Sequence, residues 1–370
     1  MTTSSGKLRM LVADDSLTVR KRFVEVLASD PNIEVVAEAE DGRRCIELCR
    51  SLRPDVVTLD MMMPVLSGLA ATEYIMAYCP TPIVIVSASL NRGEVYTTYQ
   101  ALAAGAVEVI EKPGPSGSGP AEPGAAWDQR LIATVKLVSR VKVITHPRGR
   151  LGAGGDHRPQ AGVGLGPAPR SPRSLVAIGA STGGPAALLR ILSGLPAGFG
   201  LPILVVLHIT EPFAVCFADW LSDQLPFPVS HASDGERLGA PGECRVLLAP
   251  PARHLVVRAG RLHLLDGPER LSCKPSIDVL FESVAAELAD RSVACLLTGM
   301  GSDGARGLLA VRRAGGLTLA QDEASSVVYG MPREAARLGA AERILPLDAF
   351  APLLAELDQA TGPAAEEASG

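Results

Sequence analysis

Short apolar runs, each stopped by a polar or turn residue and followed by a stretch long enough for a crossover helix, recur through most of this chain. Over residues 7–113 the runs are Leu8–Ala13, Ile33–Ala37, Val56–Leu59, Ile83–Val86 and Val107–Ile110. From Leu175 they resume as Leu175–Ile178, Ile203–Leu207, Arg245–Ala249, Val293–Leu297 and Leu317–Ala320. Parallel strands need such crossovers, so each series predicts an α/β layered domain with a parallel sheet, the first five-stranded. Ser16 is placed to cap a helix over Leu17–Ala28, whose apolar residues Val19, Phe23, Val26 and Leu27 share one face. Further helices are expected over Trp127–Val143, Ala187–Leu195 and Val279–Leu288. Leu255–Leu265 alternates around Ala259-Gly260 and reads as an antiparallel hairpin added to the second series.

Gly114–Ala126 and Pro147–Arg173 are dominated by Gly, Pro, Ala and Ser and hold too little bulky apolar content to build a core. The expected division is a first domain over 1–145, a flexible linker over 146–173, a second domain over 174–362 and a frayed tail over 363–370. A chain of 370 residues suits two such domains. The formal charge of −5 gives no global basic field for a nucleic-acid partner. No run reaches the roughly 18 apolar residues of a membrane span, and the start lacks a signal-peptide pattern, so a cytoplasmic protein without membrane insertion is expected. The seven cysteines are scattered without paired CxxC sets, which points to small buried thiols rather than a disulfide framework or structural zinc.

Ligands of parallel α/β sheets sit beyond the carboxyl ends of the strands. In the first series Asp14 and Asp15 end the first strand, Asp60 the third, Ser87 the fourth and Lys112 the fifth. Three carboxylates at one sheet edge repel unless a hard divalent cation such as Mg²⁺ neutralises them, and Lys112 can pair with an incoming phosphoryl group. DD, LDMMMPVLSG, the strand-end Ser and EKP in this register resemble the response-regulator receiver domain over about residues 7–143. The resemblance implies a flavodoxin-like fold. It also implies that Asp60 accepts phosphate from a sensor histidine kinase. Asp15, Asp60 and the Met62 carbonyl would hold Mg²⁺, with Asp14 helping through water, and Ser87 and Lys112 would contact the phosphoryl oxygens. Ser67 and Val109 depart from the family pattern, which often has Asp or Asn at the first position and an aromatic at the second.

In the second series Ser181 lies in IGASTGGPAALL between a strand and a helix. Glycines there permit a tight turn, and the free amides of a helix start can serve as an oxyanion hole. The same turn can equally cradle a phosphate, although no Walker lysine or ribose-binding acid accompanies it. His208 and Asp303 stand at two other strand ends, and a serine, an imidazole and a carboxylate that fixes the imidazole make a nucleophilic triad. Asp322 also follows a strand and rivals Asp303, but only Asp303 has glycine-rich turns on both sides, in GMGSDG. Ser276 reads as a helix cap, and His231, His254 and His263 as partly buried structural histidines.

IGASTGGP, the strand-end His208 with Phe213 and Phe217-Ala218, APPARHL, KPSIDVLFESVA, LTGMGSDGARGL and AQDEASSVVYGMPREA together resemble the protein-glutamate methylesterases of bacterial chemotaxis over about residues 174–360. The second domain is then expected to be a Rossmann-like, doubly wound hydrolytic domain. The resemblance implies Ser181 as nucleophile, His208 as base and Asp303 as its orienter, with Thr182 and Met300 shaping the site and lending backbone amides to the oxyanion. It implies hydrolysis of glutamyl γ-methyl esters on methyl-accepting receptors, release of methanol, often deamidation of receptor Gln, and no cofactor for the hydrolysis. Residues after His208 depart from the family pattern, as does Lys274, where Arg is common. The expected regulation is that the unphosphorylated receiver domain blocks the Ser181 cleft. A phosphorylation-gated receptor- or adaptor-binding protein with vestigial catalysis is the alternative.

Overall fold

The computed structural model describes residues 6–88, 92–113, 124–141, 173–209, 211–239, 242 and 244–359. The chain divides into two compact units, Met1–Ala153 and Gly154–Gly370. The expected linker over 146–173 lies almost wholly outside the described residues, and the tail over 363–370 entirely so.

The first unit runs β1 (Leu8–Ala13), α1 (Leu17–Ala28), β2 (Ile33–Ala39), α2 (Gly42–Leu52), β3 (Val56–Leu59), α3 (Gly68–Tyr78), β4 (Ile83–Ser87), α4 (Arg92–Ala103), β5 (Glu108–Glu111) and α5 (Gly124–Val138). Its strands form one sheet in the order β2-β1-β3-β4-β5, with every pair parallel. β3 and β4 are buried along their whole length, as their unbroken apolar runs require of strands covered on both faces. The order reverses beside β1, so the crevice lies where Asp14 and Asp60 leave β1 and β3. Ser16 accepts a hydrogen bond from Val19 N and caps α1. Trp127 of α5 stacks on Phe23 of α1, with 5.4 Å between ring centroids, and its indole donates to Glu111 O at 2.7 Å.

That last helix was expected over Trp127–Val143 and differs at both ends. Its buried stripe of Trp127, Leu131, Val135 and Val138 ends at Val138, where the helix stops, and residues 142 and 143 lie outside the described residues. At the other end Ala125 and Ala126 are good helix formers, and the helix extends backward to Gly124.

The second unit runs β6 (Leu175–Ala180), α6 (Gly184–Ser193), β7 (Ile203–Leu207), α7 (Glu211–Ser222), β8 (Val229–His231), β9 (Val246–Leu248), β10 (His254–Arg258), β11 (Arg261–Leu265), α8 (Ile277–Leu288), β12 (Ser292–Leu296), α9 (Ala305–Arg313), β13 (Leu317–Gln321), α10 (Met331–Arg337), β14 (Arg343–Leu345) and α11 (Phe350–Gln359). A seven-stranded sheet has the order β14-β13-β12-β6-β7-β9-β8, parallel throughout. β10 and β11 form the expected antiparallel hairpin, its turn made by Ala259 (φ 48°) and Gly260 (φ 69°). Leu255, Val257 and Leu262 of the hairpin join Leu280, Phe281 and Val284 of α8 in one core with β6, β7 and β12. The winding direction reverses between β6 and β12, and the carboxyl ends of β6, β7 and β12 open on this crevice.

Candidate active site

Ser181 leaves the end of β6 with its N–H on Thr298 O at 3.0 Å. Gly183 then takes φ 76°, a left-handed conformation that turns the chain into α6, and Pro185 occupies the first turn of that helix. Gly299 passes so close that a Cβ there would lie 2.7 Å from Ser181 Cβ, so the approach depends on the missing side chain. The backbone N–H groups of Thr182 and Met300, on either side of this approach, make no hydrogen bond among the described residues. Thr182 is buried and its carbonyl accepts from Thr298 Oγ1 at 2.9 Å, whereas the Met300 side chain is exposed.

His208 leaves the end of β7, with its N–H on Ala180 O at 3.0 Å. Its Nε2 lies 3.0 Å from Asp303 Oδ2, so Nε2 donates to the carboxylate and, in the neutral ring, Nδ1 is left as the acceptor nitrogen. That nitrogen lies 3.8 Å from Cys273 Sγ. Burial disfavours the imidazolium, but the hydrogen bond to Asp303, the contact with Cys273 and their charges outweigh it and raise the His208 pKa to about 9.

Asp303 is buried and saturated. Oδ1 accepts from Ser276 Oγ at 2.8 Å and Asp278 N at 3.1 Å, and Oδ2 accepts from Ile277 N at 2.7 Å as well as from His208. The carboxylate thus sits on the N-terminus of α8, where free amides and the helix dipole favour negative charge. Burial alone would raise its pKa; His208 and these donors bring it below the ordinary value.

Ser181 Oγ makes no hydrogen bond among the described residues. The structure therefore joins His208 to Asp303 directly and leaves the Ser181 hydroxyl without a hydrogen bond to either. Asp322, the rival carboxylate, is occupied elsewhere: its Oδ1 accepts from Ser325 N at 2.9 Å and Ser325 Oγ at 2.6 Å. Ser276 caps α8 through Val279 N at 3.4 Å, as its position suggested, but its contact with Asp303 was not legible. His254 is buried between Ser276 N on Nδ1 (3.1 Å) and Pro268 O on Nε2 (3.0 Å), a structural histidine that holds the start of α8. His231 contacts Ala214 O at 3.1 Å, and His263 faces Asp234 at 3.7 Å.

In the first unit Asp14, Asp15 and Asp60 bring carboxylate oxygens within 4.8 Å of one another. Asp14 and Asp60 are buried and Asp15 is exposed. Lys112 Nζ reaches both buried acids, 2.8 Å from Asp14 Oδ2 and 3.0 Å from Asp60 Oδ1. Apart from this charge contact, the buried Asp14 Oδ2 has no hydrogen-bond partner. An oxygen-only donor set with one open face fits Mg²⁺ with several retained waters. Burial raises the Asp60 pKa, opposed by Lys112. Burial lowers that of Lys112, but Asp14 and Asp60 raise it further. Met62 is exposed beside this edge and Val109 is buried. Ser87 is turned to another partner: its hydroxyl donates to Glu94 Oε1 at 2.6 Å, and Ala88 N donates to the same oxygen at 3.1 Å. Glu94 and Cys273 are the two groups at these sites that sequence reasoning did not single out.

Two family models match the chain: the response regulator receiver domain over residues 10–118 and the CheB methylesterase over residues 176–354. A protein-glutamate methylesterase/protein-glutamine glutaminase 2 of Anaeromyxobacter dehalogenans is 42% identical over 350 residues, 95% of this chain and 97% of that protein. A protein-glutamate methylesterase/protein-glutamine glutaminase of Nitrosospira multiformis is 44% identical over 353 residues, with the same shares. Among solved structures, the catalytic domain of the Thermotoga maritima CheB methylesterase is 34% identical, covering 50% of this chain and all of that one with a TM-score of 0.47. No helix among the described residues is long and apolar enough to cross a membrane.

Proposed function

Because the chain belongs to the protein-glutamate methylesterase family and carries a receiver domain ahead of the catalytic one, we propose that it hydrolyses γ-methyl esters of glutamate on methyl-accepting chemotaxis receptors, under control of phosphorylation at Asp60. The observation that carries this reading is the His208–Asp303 contact of 3.0 Å at the strand ends flanking Ser181. Once a substrate carbonyl is seated, Ser181 Oγ attacks it and His208 Nδ1 takes the hydroxyl proton. The oxyanion forms against the unpaired amides of Thr182 and Met300. The C–OCH₃ bond breaks and methanol leaves with the proton from His208, giving a γ-glutamyl ester of Ser181. Water then attacks this ester, its proton passes to Nδ1 and on to the departing Ser181 oxygen, and free glutamate is left. The same path with ammonia as leaving group deamidates receptor glutamine.

In the receiver domain Asp60 is the phosphoacceptor for a sensor histidine kinase. Asp14, Asp15, Asp60 and the Met62 carbonyl would hold Mg²⁺, which supplies neutralising charge to the acids and the phosphoryl oxygens. Lys112 orients the phosphoryl group by its charge, and Ser87 contacts it after releasing Glu94. Phosphorylation relieves inhibition by the receiver domain, which places the enzyme in sensory adaptation in the cytoplasm. The test is methanol release from receptor-bearing membranes, with and without a small-molecule phosphodonor plus Mg²⁺. Release should rise with the donor, fall to background in Ser181→Ala, and lose its response to the donor in Asp60→Asn. Full release by Ser181→Ala would overturn the catalytic reading, and equal or lower release after removal of residues 1–173 would overturn the inhibitory one.

A further inference from the structure

The acceptor nitrogen of His208 faces a thiol, and the chain goes to some length to put it there. Arg270 and Cys273 exchange both backbone hydrogen bonds, at 3.1 and 2.9 Å, across a two-residue turn. The turn residues Leu271 and Ser272 both take positive φ, 52° and 60°. Neither is glycine, and a leucine in the left-handed region is an uncommon, strained arrangement that persists only where surrounding contacts enforce it. Arg270 at the start of the turn makes two guanidinium bonds to Glu282 on α8, at 2.5 and 2.6 Å, and Cys273 Sγ reaches back to Leu271 O at 3.5 Å. Cys273 Sγ is therefore held in place by a clamped turn, 3.8 Å from His208 Nδ1.

That separation is the bite of a metal ion. With Zn–S of about 2.3 Å and Zn–N of about 2.0–2.1 Å, a tetrahedral to trigonal angle spaces the two donors by about 3.6–3.8 Å. Asp303 completes the group of three potential ligands within 4.8 Å, but all of its hydrogen-bonding directions are already used by Ser276, Ile277, Asp278 and His208. It serves instead as the carboxylate behind the imidazole, the arrangement that orients metal-binding histidines and raises their basicity. Both donors keep some exposure, 17% for the His208 side chain and partial for Cys273, so an ion can enter and keep water in its remaining positions. The neighbouring ammonium of Lys274 is drawn off to Asp266 at 2.6 Å.

We propose that His208 Nδ1 and Cys273 Sγ form an inhibitory two-ligand site for a soft divalent cation of the zinc class. The ion displaces the thiol proton and, where the ring is protonated, the Nδ1 proton to solvent, and occupies the lone pair that would accept the proton of Ser181. The inhibitory consequence rests on the reading of His208 as base, whereas binding itself does not.

Co²⁺ titrated into the full-length protein is the direct probe, because a bound thiolate gives a near-ultraviolet charge-transfer band that oxygen donors such as the receiver carboxylates do not. The expected result is one equivalent of band-forming Co²⁺, displaced by Zn²⁺ and retained in Ser181→Ala. The band should be lost in Cys273→Ser, and Zn²⁺ affinity in Cys273→Ser and in His208→Ala should fall at least about tenfold. Absence of the band, or its persistence in Cys273→Ser, would overturn the site. Zn²⁺ should also suppress methanol release by the wild type, and Cys273→Ser should be less sensitive relative to its own metal-free rate. If the band forms and Zn²⁺ leaves methanol release unchanged, the site stands as a binding site and the base assignment of His208 falls.

Discussion

Ser276 Oγ donates to Asp303 Oδ1 at 2.8 Å while accepting from Val279 N, so one hydroxyl both starts α8 and holds the carboxylate behind His208. Ser276→Ala removes a cap worth about 0.5–2 kcal/mol and a charge-assisted bond worth about 1.5–3 kcal/mol. The expected outcome is a lower melting temperature and a kcat for methanol release reduced by roughly tenfold or more, with KM little changed. Ser276→Thr, which keeps the hydroxyl, should recover most of the kcat. Equal failure of both variants would point to packing rather than to the bond.

The His208 pKa of about 9 sets a pH limb. The folded value lies above the ordinary one near 6.5, so the imidazolium contributes stability fully present below about pH 6.5 and lost as pH rises through about 9. The neutral base has the opposite trend. In metal-free buffer kcat/KM should climb with pH toward about 9, and Cys273→Ala, which removes one of the influences that raise the pKa, should move the limb to lower pH. NMR titration of the His208 ring gives the same number without turnover, and a ring that titrates near 6.5 in the wild type would contradict the assigned electrostatics.

Gly299→Ala should block the site without replacing a functional side chain. The new methyl would meet Ser181 Cβ at 2.7 Å and the Met331 thioether at the same distance. Overpacking of this kind costs about 1–3 kcal/mol, and displacing the nucleophile from its oxyanion donors should lower kcat by about a hundredfold. A melting curve together with methanol release separates the two effects.

Lys112→Ala removes the cation between two buried carboxylates. Their mutual repulsion should destabilise the first unit, and added Mg²⁺ should restore more stability to the variant than to the wild type, because the ion then replaces the missing charge as well as binding the folded state. Thermal melts with and without Mg²⁺ measure the difference. An equal Mg²⁺ increment in both proteins would show that Lys112 and the cation do not share the acids.

Glu94→Gln should speed phosphorylation at Asp60 by a small-molecule donor several-fold, since Ser87 must leave its 2.6 Å bond to Glu94 to contact a phosphoryl group and charged acceptors bind about twice as strongly as neutral ones. Labelling kinetics check this; an unchanged rate would mean that Ser87 is released before the slow step.

Much of the fold was legible because strand-end chemistry follows the period of the apolar runs. Once β1, β3 and β5 were read, Asp14, Asp60 and Lys112 had to share one edge, and the same logic placed Ser181, His208 and Asp303. β8 and β14 were missed because neither three-residue strand is wholly apolar, unlike the equally short β9. The contacts of Ser276 and Cys273 were missed for a different reason. Ser276 lies 27 residues from Asp303, and Cys273 lies 65 from His208. Both depend on how α8 and the turn before it dock, a tertiary outcome with no local pattern. Two consecutive non-glycine residues at positive φ leave no signal in sequence either, since nothing in Leu271-Ser272 favours that turn.

The seating of Asp303 on the start of α8 also bears on the order in which this protein matures. A chain in which β6 and β7 have paired already presents Ser181 and His208, yet it lacks a carboxylate until α8 has packed and the loop after β12 has closed onto its first turn. The His208–Asp303 contact itself spans 95 residues, and contacts of high sequence separation carry the larger loop-closure cost. On the reading of these three residues as a triad, a molecule in which α8 has not docked is expected to be catalytically silent even with Ser181 and His208 in place.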